Sequence, residues 1–172
     1  MITQIENNLP PSSKLWIYQS SRRFSAGEAR TIREKIKQFV GQWTSHKDGV
    51  MGDGELLYDL FIVLMADESQ IGVSGCSIDS SAHFIKGLGH EYQTNFFDRW
   101  NIAYKNGEDD VSTCQKDEFE RLVDIGTITD ETIIFNNLLH CKKDFEAKWQ
   151  IPYGESWLKN LRTAHTSFKS IL

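Results

Sequence analysis

The sequence has little of what would make its chemistry explicit. It carries three cysteines, Cys76, Cys114 and Cys141, odd in number and far apart. That fits reduced thiols in a cytoplasm better than a disulfide framework. C-x-x-C pairs are missing, and the adjacent His140-Cys141 is the nearest approach to metal-ligand spacing, so no metal site of the zinc type is expected. No apolar run approaches the roughly 20 residues a membrane helix needs. The polar stretch from Met1 to Ser13 has neither the basic nor the apolar region of a secretory signal. These absences predict a cytoplasmic protein with no membrane partner. No lysine stands between residues 48 and 85, so Gly72-Val73-Ser74-Gly75-Cys76-Ser77 is not the G-x-x-x-x-G-K-[ST] phosphate loop, which excludes a P-loop ATPase. Ser74 lacks the G-x-S-x-G elbow of a hydrolase. Cys76 lacks the arginine six positions on that a phosphatase loop needs, because Ala82 stands there.

What is present is material for a core. In a chain of 172 residues, aromatics make up 12%, five of them Trp. A domain of this size buries roughly 70% of its unfolded surface, so residues 14–172 are expected to form one globular domain. Residues 1–13, with Asn7-Asn8 and Pro10-Pro11, read as a flexible or extended leader.

The pattern of elements centres on Leu60-Phe61-Ile62-Val63-Leu64-Met65-Ala66-Asp67-Glu68. An apolar run ending in two acids predicts a strand buried on both faces that delivers carboxylates to a loop mouth. Before it, Leu15 to Gln19 reads as a strand. Ser25-Ala26-Gly27-Glu28 is a capping box that opens a helix with Ala29, Ile32, Ile36, Phe39 and Trp43 on one stripe. His46 to Gly54, with three Gly and two Asp, reads as a loop. After the central strand, a second helix is expected from Asp79–Ser81, broken near Gly87 and Gly89. Trp100 to Lys105 and Val111 to Cys114 predict a hairpin around Asn106-Gly107. Lys116 to Ile125 reads as a helix stopped by Gly126, Thr132 to Asn136 as an interior strand, and Lys142–Trp149 and Gly154–Arg162 as helices separated at Pro152. The resulting order, β-α-β-α-β-β-α-β-α, predicts an α/β or α+β fold with a single mixed sheet of about four to five strands covered by helices.

Three groups of residues carry candidate chemistry. Asp67, Glu68 and Asp79 are candidate catalytic or metal-holding acids, and such a set suits Mg²⁺ and phosphoryl chemistry; the alternative is that Asp67 caps a turn and Glu68 is solvated. Cys76, just ahead of a helix start, is a candidate nucleophile beside Ser74, Gly75 and Ser77, whose donors suit a small anionic ligand; the same residues serve equally as a space-filling loop. The third group follows from charge. Residues 14–47 hold eight Lys or Arg against two acids, a local +6, whereas residues 48–137 hold five against eighteen, a local −13. Arg22, Arg23, Arg30, Arg33 and Lys37 therefore form a candidate face for an acidic protein partner, a phosphate-bearing ligand or RNA, or else a solvated helix face. The net charge of −5 gives no support to bulk nucleic-acid binding. Asn136 and Asn137, after a β-branched run, are candidate ligand-orienting amides or loop ties.

Taken together, Trp16-Ile17-Tyr18-Gln19-Ser20, Gly75-Cys76-Ser77-Ile78-Asp79, Phe135-Asn136-Asn137-Leu138 and Ser156-Trp157 resemble a family of small bacterial proteins that often carry the label "ABC transporter ATPase". The resemblance spans roughly residues 10 to 160. It implies a bacterial, cytoplasmic setting and brings no catalytic residues with it, and the label finds no Walker A loop here to support it. The expectation is a cytoplasmic binding or interaction protein. The alternative is a small enzyme acting on a phosphate-containing or thiol-reactive substrate at the 67–81 loop.

Overall fold

The computed structural model describes residues 5, 7–45, 51–67, 69, 75–108 and 110–160, the side chains of residues 44, 45 and 75–78 not included. In chain order the elements are β1 (Lys14–Gln19), α1 (Ala26–Ser45), β2 (Met51–Leu57), β3 (Phe61–Asp67), α2 (Gly75–Glu91), β4 (Asn101–Lys105), β5 (Val111–Gln115), α3 (Lys116–Asp124), β6 (Ile133–Phe135), α4 (Lys142–Lys148), β7 (Gln150–Pro152) and a 3-10 turn at Tyr153–Glu155. This is an α+β fold. The single mixed sheet expected from the element order is instead two antiparallel sheets, ordered β1-β3-β2 and β5-β4-β6-β7. The physical reason is that both edges of β3 are taken by β1 and β2, and both edges of β4 by β5 and β6, so neither central strand has an edge left for the other set. The chain groups into two compact units, Met1–Asp98 with Asn137–Ala147, and Arg99–Asn136 with Lys148–Leu172.

In the first unit, β3 is the predicted apolar run, and every side chain from Phe61 to Ala66 is at most 1% exposed. Strand alternation sends Ile62, Leu64 and Ala66 to one face. There they meet Ala29, Ile32, Ile36 and Trp43 of α1 with Ile85 and Leu88 of α2. Each side chain buried this way contributes about 1.5–3 kcal/mol. On the opposite face, Met65 pairs with Asp53, and Asn7 Nδ2 donates to Asp53 Oδ2 at 2.8 Å while touching Met65 Sδ at 3.7 Å. Residues 7–13 are thus held on the sheet. Lys142, only 7% exposed, donates from Nζ to the carbonyls of Leu9 at 2.9 Å and Asn7 at 3.1 Å. The Ser25–Glu28 capping box forms as predicted, with Ser25 N donating to Glu28 Oε2 at 2.8 Å and Glu28 N to Ser25 Oγ at 3.4 Å.

Two expectations fail here for local reasons. Residues 51–54, read as loop, belong to β2, because Gly54 lies under α1. A Cβ there would stand 2.7 Å from Ile36 Cγ2, 2.9 Å from Leu64 Cδ2 and 3.1 Å from Val40 Cγ2. The glycine marks a close helix–sheet approach, not a loop. The β2–β3 turn places Tyr58 at φ 53° and Asp59 at φ 50°, left-handed residues where Gly or Asn is usual, so no turn dipeptide announces it. Arg33 of α1 fastens that turn, donating to Asp59 Oδ1 at 2.7 Å and to the Leu56 carbonyl at 3.2 Å. Likewise α2 runs unbroken to Glu91 through Gly87 and Gly89.

In the second unit, the predicted hairpin pairs Asn101 with Gln115 through Lys105 with Val111. Its loop closes through Asn106 N to the Asp110 carbonyl at 3.0 Å, with Gly107 at φ 145°. α3 ends as its Gly126 (φ 77°) suggests, with Gly126 N bonded to the Val123 carbonyl and Thr127 N to that of Leu122. Phe119 packs with Ile102, Ile128, Ile134, Tyr153 and Leu158. Pro152 does stand between helical segments, residues 142–148 and 157–160, and it also ends the edge strand β7, opposite Ile133, where a missing N–H costs no ladder bond.

Candidate functional site

The acids and thiol singled out from sequence fall around the β3–α2 connection. Asp67 ends β3 half-buried, and its Oδ1 accepts the Ser69 N–H at 3.0 Å, so one carboxylate oxygen is used to close a turn. Asp79 is exposed on α2. Glu68 and Ser74 lie outside the described residues, as do the side chains of Cys76 and Ser77, which with Gly75 form the first turn of α2. Among the described residues no group of three or more His, Cys, Asp or Glu is placed to hold a metal ion.

The basic residues divide by role. Arg22 grips Glu28 with Nη2 at 2.7 Å and Nη1 at 3.1 Å, and also donates to the Tyr92 carbonyl at 2.8 Å. Its guanidinium, with the Ser25 N–H, holds the Glu28 carboxyl down at about 2. Arg33 is committed to the β2–β3 turn. Arg23 is exposed, its carbonyl accepting from Arg22 Nη1 at 3.3 Å. Arg30 and Lys37 are exposed on α1 and make no ion pair among the described residues. The two asparagines also have separate placements. Asn137 donates to Gln19 Oε1 at 2.8 Å, while Asn136 N bonds the Trp149 carbonyl at 2.7 Å.

Two open grooves flank α2 in the first unit. The larger, about 360 Å³, lies between α1 and α2. Its floor is the Phe39–Phe84 pair, stacked nearly parallel with centroids 4.3 Å apart and planes 6° from parallel, and both rings are only half-buried. Gln38, Gln42 and His83 stand around it, and the Lys35–Glu91 ion pair bridges the helices. That pairing raises the Lys35 pKa above its ordinary value. Trp43 continues the aromatic row, 5.4 Å from Phe39 and 5.5 Å from Trp16.

The smaller groove, about 260 Å³, lies at the far end of α2 between Lys86, His90 and the segment Thr94–Phe97. That segment is tied down by hydroxyls: Thr94 Oγ1 is 2.6 Å from Ser20 Oγ and 3.0 Å from Ser21 Oγ, and Asn95 N donates to Ser21 Oγ at 3.1 Å. Gly89 lets it approach, since a Cβ there would lie 3.0 Å from the Thr94 carbonyl oxygen. Tyr18 supports Phe97 edge-on at 6.0 Å and shares a 3.2 Å hydrogen bond with Ser81; burial pushes its phenol pKa up, with Ser81 pulling the other way.

No groove side chain is among the candidate site residues read from sequence. Two signals pointed to them: the i, i+3, i+7 spacing of His83, Lys86 and His90 on one helix, and the paired Phe96-Phe97 after its end. No family model, no curated protein and no solved structure matches the chain.

Proposed function

We propose that this protein is a binding or interaction protein and that the groove between α1 and α2 receives a protein partner. The observation that carries this reading is the half-buried Phe39–Phe84 stack ringed by Gln38, Gln42, His83 and the Lys35–Glu91 pair. An aromatic centre with a polar rim is the composition of protein interfaces, where rigid rings lose little conformational freedom on docking. The groove suits one or two anchoring side chains from the partner. A cytoplasmic location goes with this proposal, supported by the free thiols of Cys114 and Cys141. Membership of the bacterial family named above is proposed on its four sequence segments alone.

A thermal-shift screen of the purified protein against Mg²⁺, Mn²⁺, Zn²⁺, nucleotides and short RNA tests this against the enzyme reading. A ligand at about 100 times its dissociation constant adds roughly 2.7 kcal/mol of stability, a visible shift. The binding reading predicts no metal- or nucleotide-dependent shift that Asp67→Asn or Cys76→Ser abolishes. Such a shift would move the function to the 67–81 loop.

A further inference from the structure

We propose that the smaller groove, at the end of α2, is a ligand site for a small anion carrying one flat ring, an aryl carboxylate or aryl phosphate. This goes beyond the partner groove and does not depend on it. Lys86 and His90 stand four residues apart on one face of α2, both exposed, and neither makes an ion pair or side-chain hydrogen bond among the described residues. Elsewhere on the same helical layer, Arg22, Arg33 and Lys35 are neutralised by Glu28, Asp59 and Glu91. Glu91, the neighbour of His90, is turned away to Lys35 in the other groove. Among the described residues the small groove thus presents the Lys86 ammonium with no ion-paired counter-charge, so an anion entering it forms charge-assisted hydrogen bonds with Lys86 without displacing an internal partner.

The opposite wall supplies the preference for a ring. Phe97 is 48% exposed, large for an aromatic whose position is fixed. It is fixed by Tyr18 at its edge and by its own N–H, which donates to Asn95 Oδ1 at 2.8 Å. That bond occupies the oxygen of Asn95 and leaves its Nδ2 to donate to a ligand. Phe96, 5% exposed, closes the floor. A fixed ring and a cation lining the same groove fit a flat anion, whose ring stacks on Phe97 as its charged group reaches Lys86. At about 260 Å³ the groove falls below the roughly 300–1,000 Å³ of drug-sized sites, a size that suits one ring with one anionic group.

The test is titration of isotopically labelled full-length protein with benzoate, phenyl phosphate, cyclohexanecarboxylate and inorganic phosphate, followed by amide NMR. The expected result is saturable shifts at Thr94, Asn95 and Phe97 with benzoate or phenyl phosphate, and binding about threefold to tenfold weaker for the matching non-aromatic probe. The tighter of the two aryl probes then identifies the head group. Lys86→Glu, a surface change that keeps the fold, is expected to weaken binding about tenfold or more. Two results would overturn the proposal: no saturable shift at these amides with either aryl probe, or unchanged affinity in a folded Lys86→Glu protein.

Discussion

The two units use charge differently. In the first, Arg33 of α1 holds Asp59 of the β2–β3 turn and Lys35 holds Glu91 of α2, pairs between segments distant in sequence, beside the local pairs Arg22–Glu28 and Lys142–Glu146. In the second, Lys116–Glu120 and Arg121–Glu118 are one helical turn apart, and Lys159–Asp130 spans a longer interval. Pairs within a turn decorate a solvated helix and are worth little. Pairs between elements fix which surfaces meet. The difference teaches where to look for function: in a unit where several cations are spent on architecture, the exposed Arg30, Lys37, Lys86 and Lys143, which make no ion pair among the described residues, are conspicuous.

The comparison can be broken first at the cores. Leu64→Ala, at a wholly buried site on the central strand of the first unit, is expected to cost about 3–5 kcal/mol in urea unfolding. Leu122→Ala, at a partly buried site beside the second core, should cost about 1–2 kcal/mol. Equal costs would show that the two sites are not packed as differently as their burial indicates. Glycine offers a sharper contrast because the sign should change. Gly54→Ala meets Ile36, Leu64 and Val40 and should destabilise by about 1–3 kcal/mol, whereas Gly87→Ala meets nothing within 4 Å on α2 and should stabilise by about 1 kcal/mol.

Charge gives the smallest effects. Arg33→Ala should cost about 1 kcal/mol, allowing for its partial exposure, and Arg121→Ala about 0.3 kcal/mol. Denaturation at low and high salt would compare them. For Glu28 the folded carboxyl titrates near 2, below its ordinary 4.5. A depressed carboxyl stabilises the fold above the ordinary value and loses that contribution as pH falls from about 4.5 towards 2. Carboxyl NMR should place the Glu28 midpoint near 2, and Arg22→Ala should move it back upwards. An unmoved midpoint would mean that Arg22 is not its cause.

How much of this was legible in the residues depended on whether a signal was local. The Ser25–Glu28 box, the α1 stripe, β3 and the Asn106-Gly107 hairpin each follow from residues a few positions apart, and each formed. The strand β2 was hidden because Gly52 and Gly54 read as loop, and only the fold places α1 over Gly54. The β2–β3 turn was hidden because Tyr58 and Asp59 are held left-handed by tertiary bonds, with Phe24 N donating to the Asp59 carbonyl at 2.8 Å and Arg33 to its carboxylate. Missing that turn hid the pairing of β2 with β3 as well. The grooves were least legible. Lys35 and Glu91 stand 56 residues apart, and Tyr18 and Phe97 further still, so no spacing rule joins them. The basic cluster shows the same limit: its cations are close in sequence, yet only the fold reveals that Arg22 and Arg33 are already engaged.

The central claim is that the α1–α2 groove receives a protein partner, and photo-crosslinking in living cells tests it most directly. A photoreactive amino acid at Gln42, on the rim of the groove, should give one dominant protein adduct, weakened when Phe84→Ala removes the aromatic floor in a protein that still folds. The same probe at Glu34, exposed on α1 but outside the groove, should give none. An adduct of equal yield from both positions, or none from Gln42, would contradict the account.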